Sequence, residues 1–244
     1  MKQITKRKMT TGEIRDKFER DDVVERYTNL ATGQIAIVDA AVNLEVLTET
    51  AKRIVPRARN VLDIGCGAGN YTLKLLSSLP NLNCTLVDLS GKMIKKALER
   101  ITPVTSGKVL WYQKDIREIE LPKNRFDIAM AGAVLHHLRG EEEWNDVFSK
   151  VYDSIAPGGC FLISDLITHA NQAVEECMWE RYEEYIGRIG GPETFSDIEE
   201  GIAREDTPRT IAYQLDLLSK VGFKDVDVLH KNILFATFGG VKKG

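Results

Sequence analysis

No apolar run in this 244-residue sequence approaches the ~20 residues that a helix needs to cross a membrane. Neither sign of charge dominates: the net charge is −3 and the isoelectric point is about 5.9, so nothing draws the whole chain toward nucleic acid or a membrane surface. Cysteine is scarce, and the four residues form no C-x-x-C pair and no metal-ligand spacing with histidine. We therefore expect no metal, no membrane or nucleic-acid partner, and a reducing, cytoplasmic setting.

A strand, a glycine turn and a helix follow one another directly in the first half of the chain. Residues 61–64 are an apolar run dense enough for a buried parallel strand, and a helical pattern covers residues 70–79. Between them lie three glycines at alternate positions, Gly65, Gly67 and Gly69. Glycine lets the backbone approach a ligand closely, and the free N–H groups of a helix start face that ligand. The segment predicts a nucleotide site.

Two residues beside this turn indicate which nucleotide it takes. The spacing is G-x-G-x-G, and Asn70 stands where the dinucleotide fingerprint has its third glycine. Asp63 places a carboxylate in the strand just before the turn, where it would repel a pyrophosphate. The same carboxylate would suit a ligand with an ammonium and a sulfonium group. S-adenosylmethionine carries both, so the sequence favours it over NAD.

Polar residues also follow the later apolar runs, where each predicted strand ends in a loop. These runs lie at residues 84–87, 108–113, 126–131 and 160–164. After them come Asp88, Asp115, the pair His136 and His137, and Asp165. Because open α/β sheets bind ligands at this edge, Asp88 is placed to accept two ribose hydroxyls and Asp115 to accept an adenine amino group. Asp115 could instead cap a helix.

Together these segments resemble the class I S-adenosylmethionine-dependent methyltransferases of the small-molecule type. The resemblance rests on VLDIGCGAGNYT (61–72), LVDLS (86–90), KDI (114–116), FDIAMAGAVLHHL (126–138) and APGGCFLISD (156–165). It covers roughly residues 58–168 and implies S-adenosylmethionine as the cofactor. The cofactor-binding residues that it implies are Tyr27, Asp63, Gly65, Cys66, Gly67, Gly69, Asp88, Leu89, Met93, Asp115, Ile116, Ala131 and His136. Met93 could equally be a core residue, and Tyr27 a packing aromatic.

The alternation of strands and helices predicts an α/β fold with a doubly wound, seven-stranded, mostly parallel sheet, the Rossmann-like methyltransferase fold. We expect an N-terminal helical lid at residues 1–57, a core at 58–168 and 207–240, and a helical cap insertion at 169–206 after the fifth strand. Within the lid, apolar residues at helical spacing predict a helix over roughly residues 34–54. From Gly239 onward we expect a tail.

The cap insertion stands over the edge of the sheet where a methyl group would be delivered. Its aromatic residues Trp179, Tyr182 and Tyr185 could line a substrate pocket, or they could simply pack the cap. The insertion could equally form a dimer interface, so a homodimer is left open.

Methyl transfer from a sulfonium is an in-line displacement with a neutral leaving group, so positioning can supply most of the acceleration. A general base is needed only if the acceptor starts out protonated. The candidate bases are His136, His137, His169 and Asp165. No Asn-Pro-Pro-Tyr sequence follows the fourth strand. The resemblance therefore implies a small-molecule acceptor rather than a nucleic-acid base or a glutamine side chain.

The leading hypothesis is S-adenosylmethionine-dependent methyl transfer to a small molecule. The chain is also similar to the carboxy-S-adenosylmethionine synthases of tRNA modification, through its long N-terminal segment, its insertion and residues 207–223. Those enzymes usually have a less glycine-rich turn, and the arginine expected to hold the extra carboxylate has no clear match near residues 197–200. A non-catalytic S-adenosylmethionine-binding protein is a third alternative.

Overall fold

The computed structural model describes residues 7–29, 34–190 and 194–244. Residues 1–6 and 30–33 of the expected lid, and residues 191–193 of the expected cap, lie outside the described residues. None of the helices in the described ranges has both the length and the apolar character that crossing a membrane requires.

Within the described residues, seven strands form one sheet that is parallel except at its penultimate position. The strands are β1 (Asn60–Ile64), β2 (Asn83–Asp88), β3 (Val109–Gln113), β4 (Phe126–Gly132), β5 (Ile155–Leu166), β6 (Lys224–Asn232) and β7 (Phe235–Val241). Their order across the sheet is β3-β2-β1-β4-β5-β7-β6, and β7 runs against both of its neighbours. The predicted α/β fold with a mostly parallel, seven-stranded sheet is confirmed.

Helices cover both faces of this sheet. They are α1 (Thr11–Phe18), α2 (Asp21–Thr28), α3 (Ala40–Ile54), α4 (Asn70–Leu76), α5 (Gly91–Ile101), α6 (Glu141–Ser154), α7 (Gln172–Ile189), α8 (Phe195–Glu205) and α9 (Ile211–Val221). Alternate residues of β1 point to opposite faces: Leu62 and Ile64 pack in a cluster with α6 and α9, and Val61 packs with α3, α4 and α5. Because both faces are buried, the strands are continuous apolar runs in the sequence.

The helix predicted over residues 34–54 begins only at Ala40. The residue before it, Asp39, has a φ of 56°, in the left-handed region that ends helical geometry. Its carboxylate accepts hydrogen bonds from His230 Nε2 at 2.9 Å and Asn232 Nδ2 at 2.8 Å. The start of this helix is therefore set by contacts with β6, far along the chain.

The tail predicted from Gly239 is wrong, because β7 continues to Val241. A Cβ atom at Gly239 would lie 2.3 Å from the carbonyl oxygen of Phe161 in β5. Gly239 and Gly240, which in the sequence resemble the start of a flexible tail, are thus part of the closely packed pair of strands β5 and β7.

Candidate active site

A cavity of about 290 Å³ opens at the carboxyl ends of the central strands. It lies where the order of the sheet reverses between β1 and β4, the position at which doubly wound sheets bind ligands. Its wall comes from the glycine turn after β1, the loops after β2, β3 and β4, and helices α1, α2 and α8.

The glycine turn is held against the end of β2. The N–H groups of Gly65 and Cys66 donate to the carbonyl oxygen of Val87 at 2.8 and 3.0 Å. The N–H of Gly67 donates to Asp88 Oδ2 at 2.8 Å. Gly67 has a φ of 49°, and a Cβ atom there would meet nothing within 4 Å. The left-handed backbone therefore favours glycine here, and the missing side chain leaves this part of the wall open.

Asn70 connects the turn to two neighbouring elements. Its side-chain oxygen accepts a hydrogen bond from Arg100 of α5 at 2.8 Å, and its side-chain nitrogen donates to the carbonyl oxygen of Tyr27 at 3.0 Å. The residue that replaces the third glycine of a dinucleotide turn thus fastens the N-terminal helices over the site.

Asp88 is fixed at the end of β2 by backbone donors on both carboxylate oxygens. Besides Gly67, the N–H of Ser90 donates to Oδ1 at 2.9 Å. Burial raises the pKa of Asp88, although these hydrogen bonds act in the opposite direction. Since each carboxylate oxygen can accept more than one hydrogen bond, Asp88 can still receive hydroxyl groups from the cavity.

Asp115 is only 8% exposed and lies beside Arg117, which donates to it from its backbone N–H at 2.9 Å and from Nε at 3.0 Å. Burial alone would raise the pKa of Asp115, but the hydrogen bonds from Arg117 outweigh it and the net pKa is lowered. The carboxylate is therefore charged at neutral pH. Among the described residues it caps a short turn and begins no helix.

Asp63 is buried behind the turn and is absent from the cavity wall. Its Oδ2 accepts a hydrogen bond from the hydroxyl of Thr72 at 2.6 Å. Burial raises the pKa of Asp63 to about 7 in spite of this donor. In this structure the carboxylate supports the start of α4.

The N-terminal helices close the cavity from above. Phe18 and Tyr27 meet edge to face with their ring centroids 5.6 Å apart, and both line the cavity. The hydroxyl of Ser90 donates to the carbonyl oxygen of Phe18 at 2.9 Å, and the N–H of Gly91 donates to Glu19 at 2.6 Å. These contacts attach the helices to the start of α5, next to Asp88.

His136 lies in the loop after β4, 8% exposed, with its ring held by Asp165. Its Nδ1 is hydrogen-bonded to Asp165 Oδ1, which also accepts the N–H of Leu166 at 2.8 Å. Burial alone would lower the pKa of His136, but the charges of Asp165 and Asp206 raise it to about 9. Because Nδ1 is engaged, Nε2 is the ring atom left for a further partner.

Asp206, the residue after α8, brings the two histidines together. Its Oδ1 lies 3.0 Å from His137 Nδ1 and 3.7 Å from His136 Nε2. That oxygen is buried and accepts no hydrogen bond of proper geometry from any described residue. The N–H of Thr207 donates to the carbonyl oxygen of His136 at 2.7 Å, which fixes the two segments to each other. Two imidazoles and one carboxylate thus converge on one part of the wall.

Most of the residues singled out in the sequence lie in one place. The cavity wall includes Tyr27, Gly65, Cys66, Gly67, Asp88, Leu89, Met93, Asp115, Ile116, His136, His137 and Tyr182. The wall does not include Asp63, Gly69, Ala131, Asp165, Trp179 or Tyr185. Met93 both lines the cavity and packs in the small core under the N-terminal helices.

The residues outside the wall have other contacts. Ala131 is buried in β4, in register with Ile64 and Ile163. Trp179 packs against Phe195 of α8, and the hydroxyl of Tyr185 donates to the carbonyl oxygen of Ile35 at 3.0 Å. Trp179 thus packs within the cap, Tyr185 joins the cap to the N-terminal segment, and Ala131 belongs to the sheet.

Sequence reasoning did not select Asp206, Phe18, Arg117, Ile198 or Ile202, all of which line the cavity. Asp206 belongs to an Arg-Glu-Asp run that is typical of a solvated helix end. Its position beside the histidines depends on the fold of the cap, which no local pattern predicts.

Both the sequence and the fold are similar to those of known methyltransferases. Residues 61–159 match the family model of a methyltransferase domain. The carboxy-S-adenosyl-L-methionine synthase of Campylobacter lari is 25% identical over 207 residues, which cover 83% of this chain and 85% of that protein.

Two solved structures share the fold. Human N-acetylserotonin methyltransferase in complex with S-adenosylmethionine superposes with a TM-score of 0.56 and 17% identity, over 86% of this chain and 54% of that one. An O-methyltransferase family protein from Burkholderia thailandensis gives a TM-score of 0.66 and 16% identity, over 93% and 62%. The chain thus spans little more than half the length of these two proteins. With a methyltransferase domain over residues 61–159 and the class I methyltransferase fold, the chain is an S-adenosylmethionine-dependent enzyme.

Proposed function

We propose that the protein transfers the methyl group of S-adenosylmethionine to a small-molecule acceptor that binds beside His136, His137 and Asp206. The observation that carries this proposal is the position of these three residues. They line the same cavity as Asp88 and Asp115, so a cofactor held at one end would present its methyl group toward them.

At the cofactor end, each group fits one part of S-adenosylmethionine. The fixed carboxylate of Asp88 suits the ribose hydroxyls, and the charged carboxylate of Asp115 suits the adenine amino group. The open wall at Gly67 leaves room for the methionine part. Phe18 and Tyr27, which line the cavity from the N-terminal helices, would cover the bound cofactor and exclude water from it.

At the acceptor end, Oδ1 of Asp206, which lies 3.0 Å from His137 Nδ1, can also accept a hydrogen bond from an O–H or N–H of the acceptor. This would direct the lone pair of the nucleophile toward the methyl carbon. As the new bond forms, the electrons of the carbon–sulfur bond return to sulfur, giving a neutral thioether. The proton of the acceptor passes to Asp206 and from there to water.

Charged groups of both signs surround this end. Asp206 and Glu205 are adjacent acids; Lys17 is bound to Glu205 at 2.7 Å, and Lys8 Nζ donates to the backbone carbonyl oxygen of Asp206. Arg117 is likewise engaged by Asp115 and by Glu143, the latter at 2.9 Å. Arg139 also lines the cavity, where it donates to Thr207 Oγ1 at 2.8 Å and to the carbonyl oxygen of Met9 at 3.2 Å, so a carboxylate could meet a cation here.

A second candidate is a carboxy-S-adenosylmethionine synthase-like activity. It is supported by the Campylobacter lari relative, whose similarity extends over most of both chains and therefore beyond the methyltransferase domain. A carboxylated cofactor would need a cation beside its extra charge, and Arg139, which lines the cavity, is the residue that could supply it.

The test is to incubate the protein with S-adenosylmethionine and a panel of small amines and alcohols, and to measure S-adenosylhomocysteine by mass spectrometry. We expect acceptor-dependent product that Asp206→Asn reduces at least ten-fold. His230→Gln, which alters a histidine outside the cavity, serves as the matched control. Native mass spectrometry of the purified protein completes the test. A bound cofactor heavier by one carboxyl group, without acceptor-dependent product, would replace methyl transfer by the second candidate.

A further inference from the structure

We propose that His136, His137 and Asp206 form a binding site for a divalent transition-metal ion at the acceptor end of the cavity. The three side chains each offer one ligand atom, and these atoms all lie within 4.8 Å of one another. The inference goes beyond methyl transfer, since metal binding needs neither the cofactor nor the acceptor. A bound ion would take over the contact with the acceptor that Asp206 Oδ1 makes in its absence.

The separations of the ligand atoms suit a shared ion. Nitrogen and oxygen ligands lie about 2.0–2.2 Å from zinc, which places neighbouring ligand atoms about 3–3.5 Å apart. Asp206 Oδ1 is 3.0 Å from His137 Nδ1 and 3.7 Å from His136 Nε2. Small side-chain rotations would therefore bring all three atoms to one ion.

The orientation of His136 is that of a metal ligand. Its Nδ1 is held by the buried Asp165, so Nε2 is directed to the position that an ion would take. A carboxylate behind a ligating histidine fixes the ring and increases the basicity of the ligand nitrogen. The hydrogen bond from Thr207 to the carbonyl oxygen of His136 keeps Asp206 in place.

A second observation is the burial of the Asp206 oxygen beside the two imidazoles. Its residue is 8% exposed, and Oδ1 is buried without a hydrogen bond from any described residue. Its contacts with the two imidazoles lack hydrogen-bond geometry, and an ion between the three side chains would replace them with metal–ligand bonds. The contact of His137 Nδ1 with the carbonyl oxygen of Glu205, at 3.4 Å, is long and easily exchanged for a metal bond.

The ligand types indicate the class of ion. Two imidazoles and one carboxylate suit zinc, iron or manganese rather than calcium, which prefers oxygen ligands alone. Such an ion would keep coordination positions open toward the cavity. An oxygen of the acceptor could bind there, and the ion would make that oxygen easier to deprotonate.

The test uses the whole protein, stripped with EDTA, dialysed and titrated with Zn²⁺ and Mn²⁺ by calorimetry, with Co²⁺ absorption as a direct readout of the ligand set. We expect one equivalent bound with a Kd in the micromolar range or below. Asp206→Asn and His137→Gln should each weaken binding at least ten-fold. His230→Gln, which removes a histidine paired with Asp39 outside the cavity, should leave it unchanged.

Retained binding of S-adenosylmethionine shows that each variant is folded, and it keeps this test separate from that of methyl transfer. If Asp206→Asn does not fold, the proposal is tested by the titration of His137→Gln and by the Co²⁺ spectrum of the unaltered protein. The proposal is overturned if stripped protein binds neither Zn²⁺ nor Mn²⁺, or if His230→Gln weakens binding as much as His137→Gln.

Discussion

Asp165 holds His136 at two points, its ring and its backbone. One carboxylate oxygen is hydrogen-bonded to Nδ1 of the imidazole, and the other accepts the backbone N–H of the same residue at 3.1 Å. The pair links the end of β5 to the loop after β4. It fixes both the position of the histidine and the ring nitrogen that faces Asp206.

Asp165→Asn should therefore destabilise the protein although it preserves the shape of the side chain. The variant loses a buried charge-assisted hydrogen bond, which is worth about 1.5–3 kcal/mol. At roughly 2–4 °C per kcal/mol for a chain of this size, Tm should fall by several degrees. The matched control is Asp39→Asn, since Asp39 and His230 form a similar but partly exposed pair. That change should cost less than about 1 kcal/mol. Equal Tm losses in the two variants would show that burial of the His136 pair adds nothing.

Asp88→Asn should weaken binding of S-adenosylmethionine by at least ten-fold in calorimetry. Both oxygens of Asp88 accept backbone N–H groups, so an asparagine must turn its own NH₂ toward one of these donors. The substitution should therefore disturb the glycine turn after β1 and also remove the expected contact with the ribose. Asp127→Asn is the control, because Asp127 also accepts two backbone N–H groups, at the other end of β1. If Asp88→Asn binds the cofactor as tightly as Asp127→Asn does, Asp88 is not a ribose ligand.

The half of the cavity that we propose for the cofactor could be predicted from sequence, because each of its parts is local. A strand, a glycine turn and an acid after the next strand are short patterns, and a parallel sheet brings their ends to one edge. Asp206 could not be predicted in this way. It reaches His137 only because α8 folds back over the cavity, and nothing in its neighbours distinguishes it from a solvated acid. The start of α3 was mispredicted for the same reason, since Asp39 is held by β6.

The Tyr27 ring, rather than its hydroxyl, should matter for cofactor binding. The ring packs on Phe18 over the cavity, and the Tyr27 backbone carbonyl is held by Asn70 whatever the side chain. Tyr27→Ala should therefore raise the Kd for S-adenosylmethionine about ten-fold, while Tyr27→Phe should bind within two-fold of the unaltered protein, on the scale at which 1.4 kcal/mol is a factor of ten. Fluorescence or calorimetric titration measures both. A full loss in Tyr27→Phe would instead assign the contact to the hydroxyl group.

Stability should fall as pH rises from about 4 to about 7 through the titration of Asp63. Burial raises the pKa of this carboxyl to about 7 in the folded protein, whereas an unfolded aspartate titrates near 3.9. Between these values the folded state binds more protons, so the free energy of unfolding decreases with rising pH. Asp63→Asn removes the effect. Without cofactor, the Tm of Asp63→Asn minus the Tm of the unaltered protein should be several degrees higher at pH 8 than at pH 5. The other titrating groups are the same in both proteins, so their effects cancel in this difference.

Thr72→Val provides the matched variant for Asp63. The hydroxyl of Thr72 donates to the Asp63 carboxylate and lowers its pKa, so its removal should raise the pKa of Asp63 further. Stability should then fall more steeply with rising pH than in the unaltered protein, over a range that extends above pH 7. Thermal unfolding at half-unit steps from pH 5 to 8.5 measures all three proteins. Parallel profiles would show that Asp63 is already ionised in the folded state at pH 5, in which case its carboxylate is free to pair with the ammonium group of the cofactor.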